Sequence, residues 1–307
     1  MKVIRFERFG GPEVLHEAEV EPPVPQDTEM LVRNEAAGVN PVDYKIRSGA
    51  YPAVKQDRLP YTPGRDVSGV VVACGPDITR FKPGDAIFAM PGIERGGYAD
   101  HVLVREDEAA ARPTAVDAVA AGATPLAALT AWQGLFRHGG LKAGQRVLIH
   151  GGAGGVGHFA VQFAKAFGAE VATTVSARHV EFARKLGADV VVDYETQDFE
   201  GVVGDVDLVF DLVDGDAQER SWKVLKVGGA LISTLSQPSL EKAAGLVARA
   251  LRYTVEESGP DLVEIAGLID AGKVRPVVAK TFGLAEAAQA QQFLQTEHPA
   301  GKVVLVV

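Results

Sequence analysis

A single cysteine, Cys74, stands among 307 residues. No disulfide can close within the chain, and no zinc site built from several thiolates can form. Positive charge is also scarce: 31 Lys and Arg against 40 Asp and Glu leave a formal net charge of −9. General affinity for nucleic-acid backbone or anionic lipid needs the opposite field, so neither nucleic acid nor membrane is expected as a partner. Long apolar runs are missing too. The one extended stretch without charge, 118–136, is rich in Ala, contains Pro125 and Gln133, and reads as a buried helix rather than a membrane span. Residues 1–5 alternate and break at Gly10-Gly11, which reads as a strand and not as a targeting signal, so a reducing cytoplasm is the expected compartment.

What is present is a chain long enough for two domains, with 47% hydrophobic residues to fill their cores. Short apolar runs at 14–20, 30–39, 67–73 and 86–90 are separated by Gly/Pro turns, a pattern that predicts a barrel or sandwich with one short helix near 42–47. From about residue 115 the texture changes. A long helix is expected over 116–137. Strands at 146–150, 170–175, 190–194, 206–212 and 230–235 then alternate with helices, the order of a parallel doubly wound sheet. After residue 260 the spacing predicts a helix, a strand at 274–279, a second helix and a buried final strand at 302–307 that returns to the first domain.

The strongest motif runs from His150 through Gly151, Gly152, Ala153, Gly154, Gly155 and Val156 to Gly157. Gly152, Gly154 and Gly157 form G-x-G-x-x-G between an apolar strand and an amphipathic helix, the context that dinucleotide binding requires. Free N–H groups and the positive helix end would hold the pyrophosphate. An NAD site places an acid about 20 residues further on, against the ribose 2′-hydroxyl. Here that region reads Thr174-Val175-Ser176-Ala177-Arg178, without an acid. Ser176, Arg178 and Tyr194 at the next strand end could surround a 2′-phosphate, which favours NADP over NAD; the alternative is an Arg178 that is merely solvated. Gly267-x4-Gly272-Lys273 imitates a phosphate-binding P-loop but lacks the hydroxyl residue after Lys273, and Gly272 is read as a helix C-cap.

These residues join a wider set: the run 36–49 around Asn40 and Asp43, Pro63-Gly64-Arg65-Asp66-Val67-Ser68-Gly69, Lys82-Pro83-Gly84-Asp85, Gly96-Gly97-Tyr98-Ala99, Leu129-Thr130-Ala131 and Gly301-Lys302-Val303-Val304-Leu305. Over essentially its whole length the chain resembles the zinc-independent quinone oxidoreductase branch of the medium-chain dehydrogenase/reductase superfamily. The resemblance implies an α/β fold: a GroES-like β-barrel catalytic domain (1–120), a Rossmann domain with a doubly wound parallel sheet (121–260), and a return segment (261–307) that completes the catalytic domain. It implies NADPH in the cleft between the domains. Asn40 and Thr130 would lie near the nicotinamide. Gly152, Ala153, Gly154, Gly155, Val156 and Gly157 would hold the pyrophosphate, and Ser176, Arg178 and Tyr194 the 2′-phosphate. Leu212, Val213 and Leu235 would line the ribose and nicotinamide, and Lys302 would approach the cofactor. A homodimer joined edge to edge through the strand at 230–235 is also implied.

Zinc-dependent relatives carry Cys where this chain has Asn40 and a His-Glu pair where it has Arg65-Asp66, so no metal is expected. Without a Lewis acid, a conjugated acceptor is the easier substrate, because the charge arriving with hydride spreads into an enolate or a reduced quinone. Quinones and α,β-unsaturated carbonyls are therefore the expected substrates. Asn40, Tyr44 and Tyr51 are the candidate catalytic donors, although each tyrosine could equally pack as a structural group. The alternatives are an enoyl-thioester reductase, and an NADPH-binding sensor or RNA-binding protein without turnover. The acidic balance speaks against the last.

Overall fold

The computed structural model describes all residues from Met1 to Val307. Two compact units divide the chain. Unit 1 comprises Met1–Leu126, Glu257–Gly272 and Pro276–Val307; unit 2 comprises Ala127–Glu256 and Lys273–Arg275.

Unit 1 begins with strands β1 (Lys2–Arg5), β2 (His16–Glu19) and β3 (Glu29–Val39), then helix α1 (Pro41–Arg47). Strands β4 (Val67–Cys74), β5 (Ala86–Ala89), β6 (His101–Arg105) and β7 (Ala109–Ala111) follow, then helix α2 (Ala118–Gly122). The long strand β3 organises this unit, pairing antiparallel with β4 on one side and with β6 over Glu29–Arg33. Val32, Val67, Val71, Ile87, Val102 and Val104 meet beneath it as one apolar cluster. Period-2 alternation in these runs puts one face of each strand into that cluster.

Unit 2 starts within helix α3 (Pro125–Trp132) and continues through β8 (Arg146–His150), α4 (Gly157–Ala166), β9 (Glu170–Val175), α5 (Val180–Lys185) and β10 (Val190–Asp193). Strand β11 (Val206–Asp211), helix α6 (Gly215–Arg220), strand β12 (Leu225–Ser233), helix α7 (Leu240–Gly245) and strand β13 (Arg249–Arg252) complete it. The six strands are all parallel, in the order β10-β9-β8-β11-β12-β13. Counted along the chain this is 3-2-1-4-5-6, so the connections diverge between β8 and β11 and leave a crevice at their carboxyl ends.

The chain closes with α8 (Gly259–Asp270), β14 (Val278–Gly283), α9 (Ala287–Glu297) and β15 (Lys302–Val306). Strand β15 lies antiparallel to β3, with Val303 to Val306 opposite Val39 to Ala36, and β14 runs parallel to it at the edge of the sheet. Gly272 has φ +68 just beyond α8, the left-handed position of a helix C-cap, as its sequence setting suggests.

Three expectations from the sequence are corrected. The single helix over 116–137 is interrupted: α2 ends, Pro125 starts α3, and a π-helical turn covers Gln133–His138. Proline has no N–H for the preceding turn and drives the residue before it out of helical geometry. The strand expected at 274–279 begins four residues later, after Pro276. The strand expected at 230–235 spans Leu225–Ser233 and is interior, bonded to β11 and β13 on its two sides, so the edge strands of that sheet are β10 and β13. The four residues of β13, with two arginines, are too short and charged for apolar patterning to reveal them.

Candidate active site and nucleotide cradle

The first functional element of unit 1 is the junction of β3 and α1. Pro41 stands at the first helical position, where a missing N–H costs nothing. Asp43, fully buried, accepts the Asn40 backbone N–H at 2.8 Å and the Tyr98 hydroxyl at 2.9 Å. Burial raises its carboxyl to about 6 against the pull of those two donors. Burial likewise lifts Tyr98 well above the ordinary phenol value. Asn40 holds the cap position but its side chain turns inward. The Nδ2 group donates to Asp66 Oδ2 at 2.8 Å and to Gly38 O at 3.3 Å. Its Oδ1 accepts from the Lys302 ammonium, which also reaches Asp66 Oδ2 at 3.1 Å and Val39 O at 3.4 Å.

Asn40 and Lys302 are thus brought together, and both are buried. With two acceptors on its amide hydrogens, Asn40 has no donor left over. Tyr44 follows one turn along α1, half-buried, with burial raising its hydroxyl. Tyr51 packs against Phe6, Val14, Ile46, Val54 and Tyr61. Neither tyrosine hydroxyl makes a hydrogen bond within the chain, and no hydrogen bond joins either to Asn40.

In unit 2 the glycine turn sits at the divergence of the sheet, between β8 and α4. A Cβ at Gly152 would lie 2.0 Å from Thr173 Oγ1, and one at Gly157 would lie 2.1 Å from Gly151 O. Gly152 is there because the turn passes hard against β9, and Gly157 because the start of α4 meets the residues that follow β8. Gly154 differs: its only neighbour within 4 Å of a built Cβ is Gly151 O at 3.4 Å. The backbone N–H groups of Ala153, Gly155, Val156 and Gly157 donate to nothing in the chain. Four unused donors at the start of a ten-residue helix, beside a glycine with open space, fit the pyrophosphate of a dinucleotide.

The ends of β9 and β10 lie side by side, Asp193 paired with Val175 and the Tyr194 N–H donating to Val175 O at 3.1 Å. Ser176 follows one strand and Tyr194 the other. Arg178 is exposed and Tyr194 is 61% exposed. The nearby carboxylate of Asp193 is spent on its own turn, taking the Glu195 N–H and the Thr196 hydroxyl. Leu212 and Val213 follow β11, and Leu235 follows β12. The Val213 side chain lies 3.1 Å from the position of a Cβ on Gly151. Thr130, on α3, is buried and its carbonyl accepts the Tyr253 hydroxyl.

Three residues escape sequence reasoning. Asp211, buried at the end of β11, accepts from Val213 N, Asp214 N, Gln218 Nε2 and Ser233 Oγ and so pins the 212–214 loop. Its signal was an acid closing an apolar strand. His179 approaches Ser176 Oγ at 3.3 Å through Nδ1. Asp66 binds Asn40 and Lys302; it could be singled out only as a departure from a metal-ligand pattern.

A six-stranded sheet of order 3-2-1-4-5-6 with an open N–H cradle at its switch point defines a dinucleotide-binding fold. Residues 26–114 match the family described as "Alcohol dehydrogenase GroES-like domain", and residues 186–305 match "Zinc-binding dehydrogenase". The mitochondrial NAD(P)H oxidoreductase RTN4IP1 of Danio rerio is 35% identical, covering 99% of this chain and 88% of its own length. The chloroplastic NADPH-dependent alkenal/one oxidoreductase of Arabidopsis thaliana is 34% identical, covering 99% of this chain and 79% of its own. The solved quinone oxidoreductase of Coxiella burnetii superposes with a TM-score of 0.93 at 35% identity, covering 100% of this chain and 99% of that one. The chain belongs to the medium-chain dehydrogenase/reductase superfamily, in its quinone oxidoreductase branch. Despite the name of the second match, no three His, Cys, Asp or Glu side chains here come together as a metal-binding group.

Proposed function

We propose that this chain is an NADPH-dependent reductase of quinones and α,β-unsaturated carbonyls that works without a bound metal. The observation that carries the reading is the phosphate cradle at Gly154 joined to a strand end whose nearby acid is turned into its own loop. The similarity to NADPH-dependent and quinone-reducing relatives speaks for the same reductant and acceptors.

NADPH, when bound, supplies the hydride. The free N–H groups of Ala153, Gly155, Val156 and Gly157 hold its pyrophosphate, with Gly152 and Gly154 shaping the turn. Ser176, Arg178 and Tyr194 take the 2′-phosphate. Leu212, Val213 and Leu235 contact the ribose and nicotinamide, and Thr130 and Asn40 stand at the reacting end. Tyr44 and Tyr51 are the catalytic donors to the acceptor oxygen, since their hydroxyls are uncommitted. Asn40, with its hydrogens already given, acts by the fixed direction of its amide, and Lys302 holds it there. A conjugated acceptor suits such a site, because hydrogen bonds suffice for a charge already spread over several atoms.

Steady-state oxidation of NADPH and of NADH with a benzoquinone and an enone tests the reading. Turnover with at least one acceptor, at a kcat/KM at least tenfold higher for NADPH, is expected. No oxidation of either nucleotide, or a preference for NADH, would overturn it. Activity that falls on chelation and returns with zinc would overturn the metal-free part. The reading extends to a homodimer joined through β13 and to a cytoplasmic location. The lone Cys74, which can close no disulfide within the chain, suits a reducing compartment. Cell fractionation that recovers the protein with an organelle would sink the cytoplasmic assignment.

A further inference from the structure

Asp66 makes four contacts at one fully buried carboxylate. Oδ2 takes Asn40 Nδ2 at 2.8 Å and Lys302 Nζ at 3.1 Å; Oδ1 takes the Leu126 backbone N–H at 2.5 Å. Leu126 is the second residue of α3, the helix that carries Thr130. The fourth contact is steric. A Cβ on Gly38 would lie 2.3 Å from Asp66 Oδ2, so the glycine of strand β3 exists to admit this carboxylate. The Lys302 side chain is 3% exposed and that of Asp66 0%. A buried ion pair contributes little net stability over apolar packing, so its retention calls for another explanation.

We propose that Asp66 is a positioning residue of the reduction site: together with Lys302 it fixes the direction of the Asn40 amide. The assignment rests on the functional reading above and adds to it a residue that touches neither nucleotide nor acceptor. An amide has two orientations that differ only in which end donates. The ammonium demands oxygen and the carboxylate demands N–H, so the pair admits one orientation alone. A reacting geometry that slips by about 1 Å can cost about a hundredfold in rate.

Replacing Asp66→Asn alone leaves the Lys302 ammonium buried without its counter-charge and is expected to lower the melting temperature. The decisive variant is the double replacement Asp66→Asn with Lys302→Met, which removes both charges at nearly constant volume. Its melting temperature is expected to recover, while kcat with NADPH and a quinone stays at least tenfold below wild type and KM for NADPH changes less than threefold. Adding Asn40→Ala to the double variant is expected to lower kcat no further, since the amide is already undirected. Recovery of kcat together with stability, or a further loss on adding Asn40→Ala, would overturn the proposal.

Exchange of the Asn40 side-chain amide protons, identified by their loss in Asn40→Ala, reads the clamp without turnover. They are expected to exchange at least tenfold faster in the double variant, and equal rates would overturn the proposal. A wild-type protein that reduces neither quinone nor enone would sink the functional reading, while the amide exchange would still decide the clamp.

Discussion

His150 shows what a buried titratable side chain does when both ring nitrogens find partners. Nδ1 lies 3.0 Å from Thr174 Oγ1 and Nε2 lies 2.8 Å from Ser221 Oγ. Burial lowers its pKa to about 4, from an ordinary value of 6.5. The unfolded chain therefore binds this proton more readily than the folded one. Stability is fully present above about pH 6.5 and falls as the pH drops toward 4, by a few kcal/mol at most. Asp43 works in the opposite sense, because its folded pKa is raised: its contribution is present below about pH 4 and is lost as the pH rises through 6. The two are separated by difference. Thermal unfolding of wild type and of His150→Asn from pH 4.5 to 7.5 is expected to show a shallower acid limb in the variant. Parallel curves would refute the assignment. Nothing in the sequence distinguishes His150 from the other six histidines by burial; its place before the glycines marks only the strand end.

At the scale of elements, the β8 turn into α4 was legible because each of its signals is local. An apolar strand, a glycine triplet and a helical apolar face follow one another within twenty residues, and no distant contact is needed to read them. The structure adds a division of labour among the glycines. Gly157→Ala would push a methyl group into the backbone carbonyl of Gly151 and is expected to cost about 1–3 kcal/mol of stability, measured by urea unfolding. Gly154→Ala meets only one atom, at 3.4 Å. It is expected to leave the unfolding midpoint within experimental scatter and to weaken NADPH binding at least tenfold by calorimetry. An alanine at Gly154 that binds NADPH normally would remove the cradle from the argument. Less legible was the break between α2 and α3. Apolar periodicity runs straight through Pro125, and only the backbone geometry of proline ends one helix and opens the next.

For the whole molecule, sheet order matters more than the strands themselves. The family resemblance implied 230–235 as the joining edge of a dimer, yet β12 is flanked on both sides. The edge on that side of the sheet is β13, where Arg249 and Arg252 are exposed, Leu251 is 37% exposed, and the Gln237 side chain bonds Ala250 O and Arg252 N. Sizing chromatography is expected to give about twice the 32.4 kDa of the chain, and Ala250→Pro, which removes a backbone N–H on the side of β13 away from β12, is expected to shift it toward monomer. A wild-type elution at the monomer mass would refute the dimer. Strand existence could be read from alternation, but neighbour relations are set by how connections cross the sheet, which no local pattern encodes.

Composition and spacing alone were enough to exclude disulfides and thiolate-rich zinc sites and to read the two kinds of sheet and the glycine turn between β8 and α4, because each depends on residue type or on neighbours close in the chain. The tertiary structure decided the rest of the chemistry. Asn40 and Asp66 are 26 residues apart and Lys302 lies 236 residues beyond Asp66; they meet only because β15 pairs with β3 and Gly38 leaves room for a carboxylate. Far apart in the chain these are ordinary polar residues. Burial removes water as a competing partner, and there each hydrogen bond must be met by the others.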